Sequence, residues 1–388
     1  MRPRRHGSDG RTRRRPALRT AGAALSLALS AAPSAVATAD PPPAPAGPAQ
    51  PGTSRTPPAP LFRDPVHDGA ADPTLVWNRE EKRWWILYTN RRADADDEKG
   101  VKWVHGSDIG LASTSDGGLT WIYRGVARGL DIAGDGSHNT FWAPEVVFDG
   151  GKYHAFVSYV RGVPETWEGT RDILHYTSAN LFDWKLERNV VPGAIDACVH
   201  RLPDGRWRMW FKNEQRKVRG TVRDSDDLYT WRPARAGMPE PRPGQGEGPD
   251  VMYWKGAFWM LKDTWKGLAV FRSPDAERWE RTGTILDRPG RRHGDGAVGS
   301  HPGLVTIDDE TAWIFYFVHQ PGPEPASRHS WIQVAPLGYD GKTLTCDRDA
   351  DFNFVLREPR PEFLPEHPPA PPVRWESGRE AQPVTGVS

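Results

Sequence analysis

Short apolar runs joined by turns recur along this chain, and no stretch sustains a helical period. Five segments open alike: ADPTLVW from Ala71, WAPEVVF from Trp142, IDACVHRL from Ile195, EGPDVMYW from Glu247 and SHPGLVTI from Ser300. Each is followed, after a turn, by an aromatic-rich run: RWWILYTN, KYHAFVSYV, RWRMWFKN, AFWMLKDTW and AWIFYFVH. Two short β-type runs joined by a turn predict a β-hairpin. Aligned at Asp72, Ala143, Asp196, Gly248 and His301, the copies are spaced by 71, 53, 52 and 53 residues. Four of them are followed by a polar turn that ends in tryptophan: STSDGGLTW to Trp121, TSANLFDW to Trp184, DSDDLYTW to Trp231 and SPDAERW to Trp279. Polar turns feeding aromatic strands suit the third and fourth strands of a four-stranded unit. Repeats of about 50 residues built from short strands predict an all-β fold, a five-bladed β-propeller of four-stranded blades. Most of the 18 tryptophans fall within the repeats and are expected to pack between blades.

The two ends do not follow this pattern. Residues 2–19 are rich in arginine, residues 21–32 are apolar, and Ala37-Thr38-Ala39 has the form of a cleavage site, so residues 1–39 predict an export signal. Arg14-Arg15-Pro16-Ala17-Leu18-Arg19 is similar to a twin-arginine signal, with Ala17 where the aromatic usually stands; Sec and twin-arginine export both remain open. The apolar run is too short for a membrane span, and no later segment qualifies. Residues 40–60 predict a Pro/Ala-rich linker, residues 61–357 the propeller, and residues 358–388 a Pro-rich disordered tail. The net charge is +1 with the basic leader included, so the remainder is mildly acidic, which argues against a nucleic-acid partner. Two cysteines, Cys198 and Cys346, permit one disulfide without requiring it, and Cys198 lies in an apolar run that suits a buried thiol.

In a propeller the first strand of each blade lines the central channel. Its start and the end of the antiparallel second strand share one mouth. This gathers Asp72, Asp196, Glu247 and His301 around one opening, with Asn90, Arg91, Arg161, Asn213, Asp263 and His319 beside them. Carboxylates converging on a narrow axis repel one another, and such a cluster marks a functional site more often than a set of turn caps. Hydrolysis of a glycosidic bond needs one carboxylic acid as proton donor and one carboxylate as base or nucleophile. Three acids on three blades supply that set, with one left to tune the donor.

These residues resemble family 43 of the glycoside hydrolases, five-bladed propeller enzymes. The resemblance is carried by Asp64-Pro65-Val66 with Ala71-Asp72-Pro73, Phe141-Trp142-Ala143-Pro144-Glu145, Ile195-Asp196, Glu247-Gly248-Pro249 and His301-Pro302-Gly303. It implies Asp72 as general base, Asp196 as the acid that tunes and orients the donor, and Glu247 as general acid, in an inverting reaction. It implies that His301 helps hold a calcium ion or its waters at the axis, and that Glu145 orients or contacts substrate. Ser300-His301-Pro302-Gly303 departs from the usual Gly-Pro-Gly-His order, and His319 ends the next strand at the same mouth. That looks more like family 117 and outlying clan members, in which a mouth histidine can act as acid. Two imidazoles would also suit zinc better than calcium. Long segments at the mouth, residues 91–102, 128–140, 161–170 and 288–299, would narrow it into a pocket favouring exo-action. Trp142 and Trp167 are the candidates for stacking on a sugar. The expected partner is an oligo- or polysaccharide (arabinoside, xyloside or galactoside). The competing readings are a non-catalytic carbohydrate-binding propeller, a retaining fructan-cleaving enzyme, which lacks its Glu-Cys motif here, and a glycoside phosphorylase.

Overall fold

The computed structural model describes residues 55–369, apart from 96–98, 133–137, 215–220, 236 and 241–245. The predicted export signal and most of the predicted linker lie outside the described residues. Five four-stranded antiparallel sheets follow one another along the chain. Blade one holds β1 (Ala70–Asn78), β2 (Arg83–Asn90), β3 (Asp108–Ser113) and β4 (Ile122–Val126). Blade two holds β5 (Thr140–Asp149), β6 (Lys152–Val160), β7 (Arg171–Ser178) and β8 (Lys185–Pro192). Blade three holds β9 (Ala194–Arg201), β10 (Trp207–Asn213), β11 (Val222–Ser225) and β12 (Trp231–Pro233). Blade four holds β13 (Glu247–Trp254), β14 (Ala257–Asp263), β15 (Leu268–Ser273) and β16 (Glu280–Ile285). Blade five holds β17 (Ser300–Thr306), β18 (Ala312–His319), β19 (Ser330–Tyr339) and β20 (Leu344–Thr345). The protein is a five-bladed β-propeller.

Local chemistry explains the blades. The turn between β13 and β14 is Lys255-Gly256, both at positive φ, the two-residue geometry whose twist matches a hairpin. The tryptophan-ended turns are Asx turns: Asp116, Asn180, Asp227 and Asp275 accept backbone N–H groups two to four residues ahead through Oδ1. In the first three the closing indole, Trp121, Trp184 or Trp231, donates to the carbonyl three residues back.

The apolar core lies between blades. One cluster joins blades one and two through Trp85, Phe141 and Tyr176. Others join two to three through Phe156 and Trp207, three to four through Trp210 and Phe258, and four to five through Trp259 and Tyr316. A fifth joins blade five to blade one through Phe315 and Trp84. The ring closes where Leu61 and Phe62 donate to the Ile332 carbonyl on β19 and Ile332 donates back to Phe62.

Two boundaries differ from the sequence reading. Residues 55–60 were expected in the linker, but Arg55 donates its backbone N–H to Asn353 Oδ1 at 2.7 Å and accepts from Phe354 N. The tail was expected to be disordered from residue 358. Its described part, residues 358–369, instead packs on the ring: Leu364 joins the core of blades one and five, and Glu366 pairs with Arg79 at 2.5 Å. A run rich in proline and charge docks here because Leu364 supplies an apolar anchor. Cys198 and Cys346 are both free thiols. Among the described residues no helix is long and apolar enough to cross a membrane.

Candidate active site

Each innermost strand carries the same irregularity. The five aligned positions are all left-handed: Asp72 at φ 50°, Ala143 at 42°, Asp196 at 58°, Gly248 at 51° and His301 at 40°. At each, the register between the first and second strand slips, the mark of a β-bulge. Four non-glycine residues in that region are a strained set, and such strain clusters at functional sites. The preceding blade holds four of the bulges in place. Ala143 N donates to Thr89 Oγ1 (2.8 Å), Asp196 N to Ser158 Oγ (2.9 Å) and His301 N to Asp263 Oδ2 (3.0 Å). Gly248 N donates to Asp196 Oδ2 at 3.0 Å.

The bulges gather Asp72, Asp196, Glu247 and His301 around one pocket of about 570 Å³, together with Arg91, Asp263 and His319 from second-strand ends. Trp142 and Trp167 line the same pocket. Trp142 is buried and donates its indole N–H to the Val104 carbonyl, while Trp167 stands 57 % exposed on the rim. Four candidates fall elsewhere. Arg161 lies exposed just past β6 and does not line the pocket. Asn90 and Asn213 end β2 and β10 without lining the pocket. Glu145 lies further along the channel, where Oε1 accepts from Val199 N at 2.8 Å and Oε2 from Thr74 Oγ1 at 3.4 Å. Its placement, two residues past the bulge, aims it at the neighbouring strand of blade three.

The polar and aromatic lining residues that escaped the sequence reading include Trp103, Arg171, Lys212, Glu214 and Trp265. They form the pocket wall. Arg171 donates to the Trp167 carbonyl and pairs with Glu214 at 3.1 Å. Lys212 Nζ lies 2.8 Å from both Glu214 Oε1 and Glu247 Oε2, and Trp265 donates its indole N–H to Glu247 Oε1 at 2.9 Å.

The floor sorts its carboxylates. Burial opposes the charge on Asp72, but Arg91 and His301, each with a nitrogen 3.3 Å from Oδ1, outweigh it and hold the pKa below the usual range. Burial and the nearby Glu247 and Asp72 push Asp196 up to about 7 against the pull of His301. Asp263 is raised to about 6, chiefly by burial. Burial would lower His301, yet Asp72, Asp196, Asp263 and Glu247 together raise it. Burial and the Arg91 charge take His319 down to about 4, so it is neutral near pH 7; its Nδ1 faces the Ser327 carbonyl at 2.9 Å.

Among the described residues no three His, Cys, Asp or Glu side chains are arranged to hold a metal ion. His301 spends Nδ1 on Asp72. This donor set does not fit a calcium or zinc ion bound directly by side chains.

No family model and no curated protein matches the chain. Solved structures do. A thermostable family-43 glycoside hydrolase superimposes with a TM-score of 0.55 at 17 % identity over 76 % of this chain and 99 % of that one. A family-43 β-xylosidase/α-arabinofuranosidase from a compost microbial metagenome, solved with xylotriose in a calcium-free form, gives 0.55 at 16 % over 75 % and 96 %. A family-43 β-1,3-galactosidase with galactodeoxynojirimycin gives 0.53 at 12 % over 73 % and 96 %. At these identities what is shared is the propeller fold.

Proposed function

We propose that this chain is a glycoside hydrolase acting on terminal xylosyl, arabinofuranosyl or galactosyl residues with inversion at the anomeric carbon. The observation that carries the reading is the floor of the pocket, where three blades contribute carboxyl groups in different electrostatic settings. Asp72 is held ionised by Arg91 and His301, while burial lets Asp196 keep a proton near neutrality. A water attacks the anomeric carbon and gives its proton to Asp72 as the glycosidic C–O bond breaks. The leaving oxygen takes the proton of Glu247. Inversion requires about 6.5–9.5 Å between the two working carboxyls, room for that water. The propeller structures that superimpose on this chain include a β-xylosidase/α-arabinofuranosidase and a β-1,3-galactosidase, which supports the choice of sugars. Export rests on residues 1–39 alone.

A second reading has an observation of its own. Glu247 accepts an ion pair from Lys212, whereas Asp196 sits at about 7, so Asp196 could carry the donated proton. Glycosides with activated leaving groups separate the two readings. Replacing the true donor by its amide spares a dinitrophenyl glycoside and stops an alkyl glycoside. Hydrolysis of a chromogenic panel tests the reaction itself, with early NMR of the released sugar for stereochemistry. Sugar binding without hydrolysis would leave a carbohydrate-binding propeller instead.

A further inference from the structure

Trp265 is held in an unusual way. It is 52 % exposed, one of four large hydrophobic residues so exposed among the described residues. Its φ is +59°, a region that bulky side chains rarely enter. Three contacts fix it there. Its backbone N–H donates to Asp263 Oδ1 at 2.7 Å, its indole N–H to Glu247 Oε1 at 2.9 Å, and Lys212 Nζ stands 5.5 Å from its ring centre. An exposed apolar ring in strained backbone, anchored at both ends, has no role in the core. It presents a flat face at the lip of the pocket.

Depth assigns the face. Asp72 and Asp196 are 7 % and 6 % exposed at the floor, where the ring that is attacked must lie. Trp265 stands outside them and is bonded to Glu247, the group that meets the glycosidic oxygen. A sugar beyond that oxygen, on the solvent side, therefore passes Trp265. We infer that Trp265 is a specificity-determining residue whose ring is the platform for the departing sugar, with Lys212 and Asp263 as its positioning residues. This rests on the glycosidase reading. The ligand chemistry is a pyranose or furanose with a C–H face, which packs on an indole as other apolar surface does. The Lys212 ammonium beside the ring favours hydroxyl groups at its edge.

The test uses the full chain carrying Asp72→Asn, which halts turnover. Binding of xylotriose, arabinotriose and galactotriose, each beside its monosaccharide, is measured by calorimetry in this parent and with Trp265→Ala, Trp265→Gly or Trp265→Phe added. Trp265→Gly suits the left-handed backbone and so removes the ring while relieving strain. The trisaccharide bound best by the parent should lose roughly three- to tenfold in affinity with Ala or Gly and stay within about twofold with Phe, the range expected for one aromatic contact. Monosaccharide affinity should not change. Unchanged trisaccharide affinity in both the Ala and Gly variants overturns this inference alone. Equal losses for mono- and trisaccharide also overturn it, because Trp265 would then face the cleaved ring. A parent chain that binds none of these sugars overturns the glycosidase reading and this inference with it.

Discussion

Asp72 Oδ1 and His301 Nδ1 face each other at 3.3 Å across the join between the first and last blades. Each residue sits on the left-handed bulge of its own blade, so two strained backbones bring one anion to one cation. Arg91 lies at the same distance from Asp72 and is itself set by stacking over Phe317, 4.6 Å from the ring centre. Asp72 is thus kept charged by two neighbours rather than by solvent.

His301→Gln leaves Asp72 with Arg91 as its close cation. Losing one favourable charge raises the pKa of a buried carboxylate. The acid limb of the kcat/KM profile should move to higher pH, with a loss of roughly tenfold or more at pH 5 and less at pH 7. An acid limb that does not move would remove Asp72 as the base.

Asp196 makes stability depend on pH in the opposite sense. Its folded pKa, about 7, lies above the unfolded value of about 3.9. Between these values the native state binds more protons than the unfolded state, so stability falls as pH rises through this window. Asp196→Asn removes that dependence and can keep the acceptor for Gly248 N–H. The variant should gain about 2 kcal/mol relative to the parent between pH 5 and pH 8, read from urea melts at both values. Equal gains at the two pH values would show that Asp196 does not hold the extra proton.

The blades and the floor were legible in the sequence because both follow from a repeat. Alignment on Asp72, Ala143, Asp196, Gly248 and His301 picks out the bulge in every copy, although nothing in the letters announces positive φ at Ala143 or His301. Gly248 is the exception. A Cβ there would lie 2.7 Å from His301 Nδ1, so glycine is required by its neighbour as well as by φ. The wall was not legible, because its residues do not repeat. Asn213 was the expected pocket residue of β10, but the slip between Trp210 and Lys212 shifts the alternation and turns Lys212 to the mouth. Trp103 and Trp265 come from loops after β2 and β14, and Glu214 from just beyond β10, where neither spacing nor period carries information.

Arg208 joins blades three and four from within. It is 1 % exposed and donates to Asp224 at 2.7 and 2.9 Å, to Glu277 at 2.8 Å and to the Ala276 carbonyl at 3.0 Å. Arg208→Ala strips a buried carboxylate of its bidentate partner and leaves Arg206, at 2.6 Å, as the remaining cation on Asp224. Breaking one side of such a pair costs about 3–5 kcal/mol, and the surviving Arg206 contact places the loss near the lower end. Denaturant melts check the value. A loss below about 1 kcal/mol would mean that solvent reaches Asp224 once the guanidinium is gone.

Leu364 tests whether the C-terminal strap belongs to the fold. The strap crosses blades rather than extending one. The Arg357 carbonyl accepts from Trp84 Nε1 at 2.8 Å, Arg201 N donates to the Pro365 carbonyl at 2.8 Å, and Glu366 reaches Arg79. Those contacts touch blades one and three, and Leu364 itself enters the cluster of blades one and five at 8 % exposure. Phe363, Leu364 and Pro365 also wall a small cavity of about 50 Å³ beside Glu145 and Asp250, further along the inner strands than the pocket. Burial raises both carboxyls, Asp250 to about 6, so the strap helps keep them dry. Leu364→Ala should cost about 2–3 kcal/mol, the lower part of the range for a buried leucine because the strap lies at the surface. The loss should be smaller at pH 8 than at pH 5, because water admitted beside Glu145 and Asp250 lowers their raised pKa values and relieves the cost of ionising them. With raised folded pKa values, Glu145 and Asp250 favour the native state at low pH and strain it as they ionise. Thermal melts of the variant at the two pH values give the comparison. A strap that only decorates the ring would leave both melting temperatures where they are.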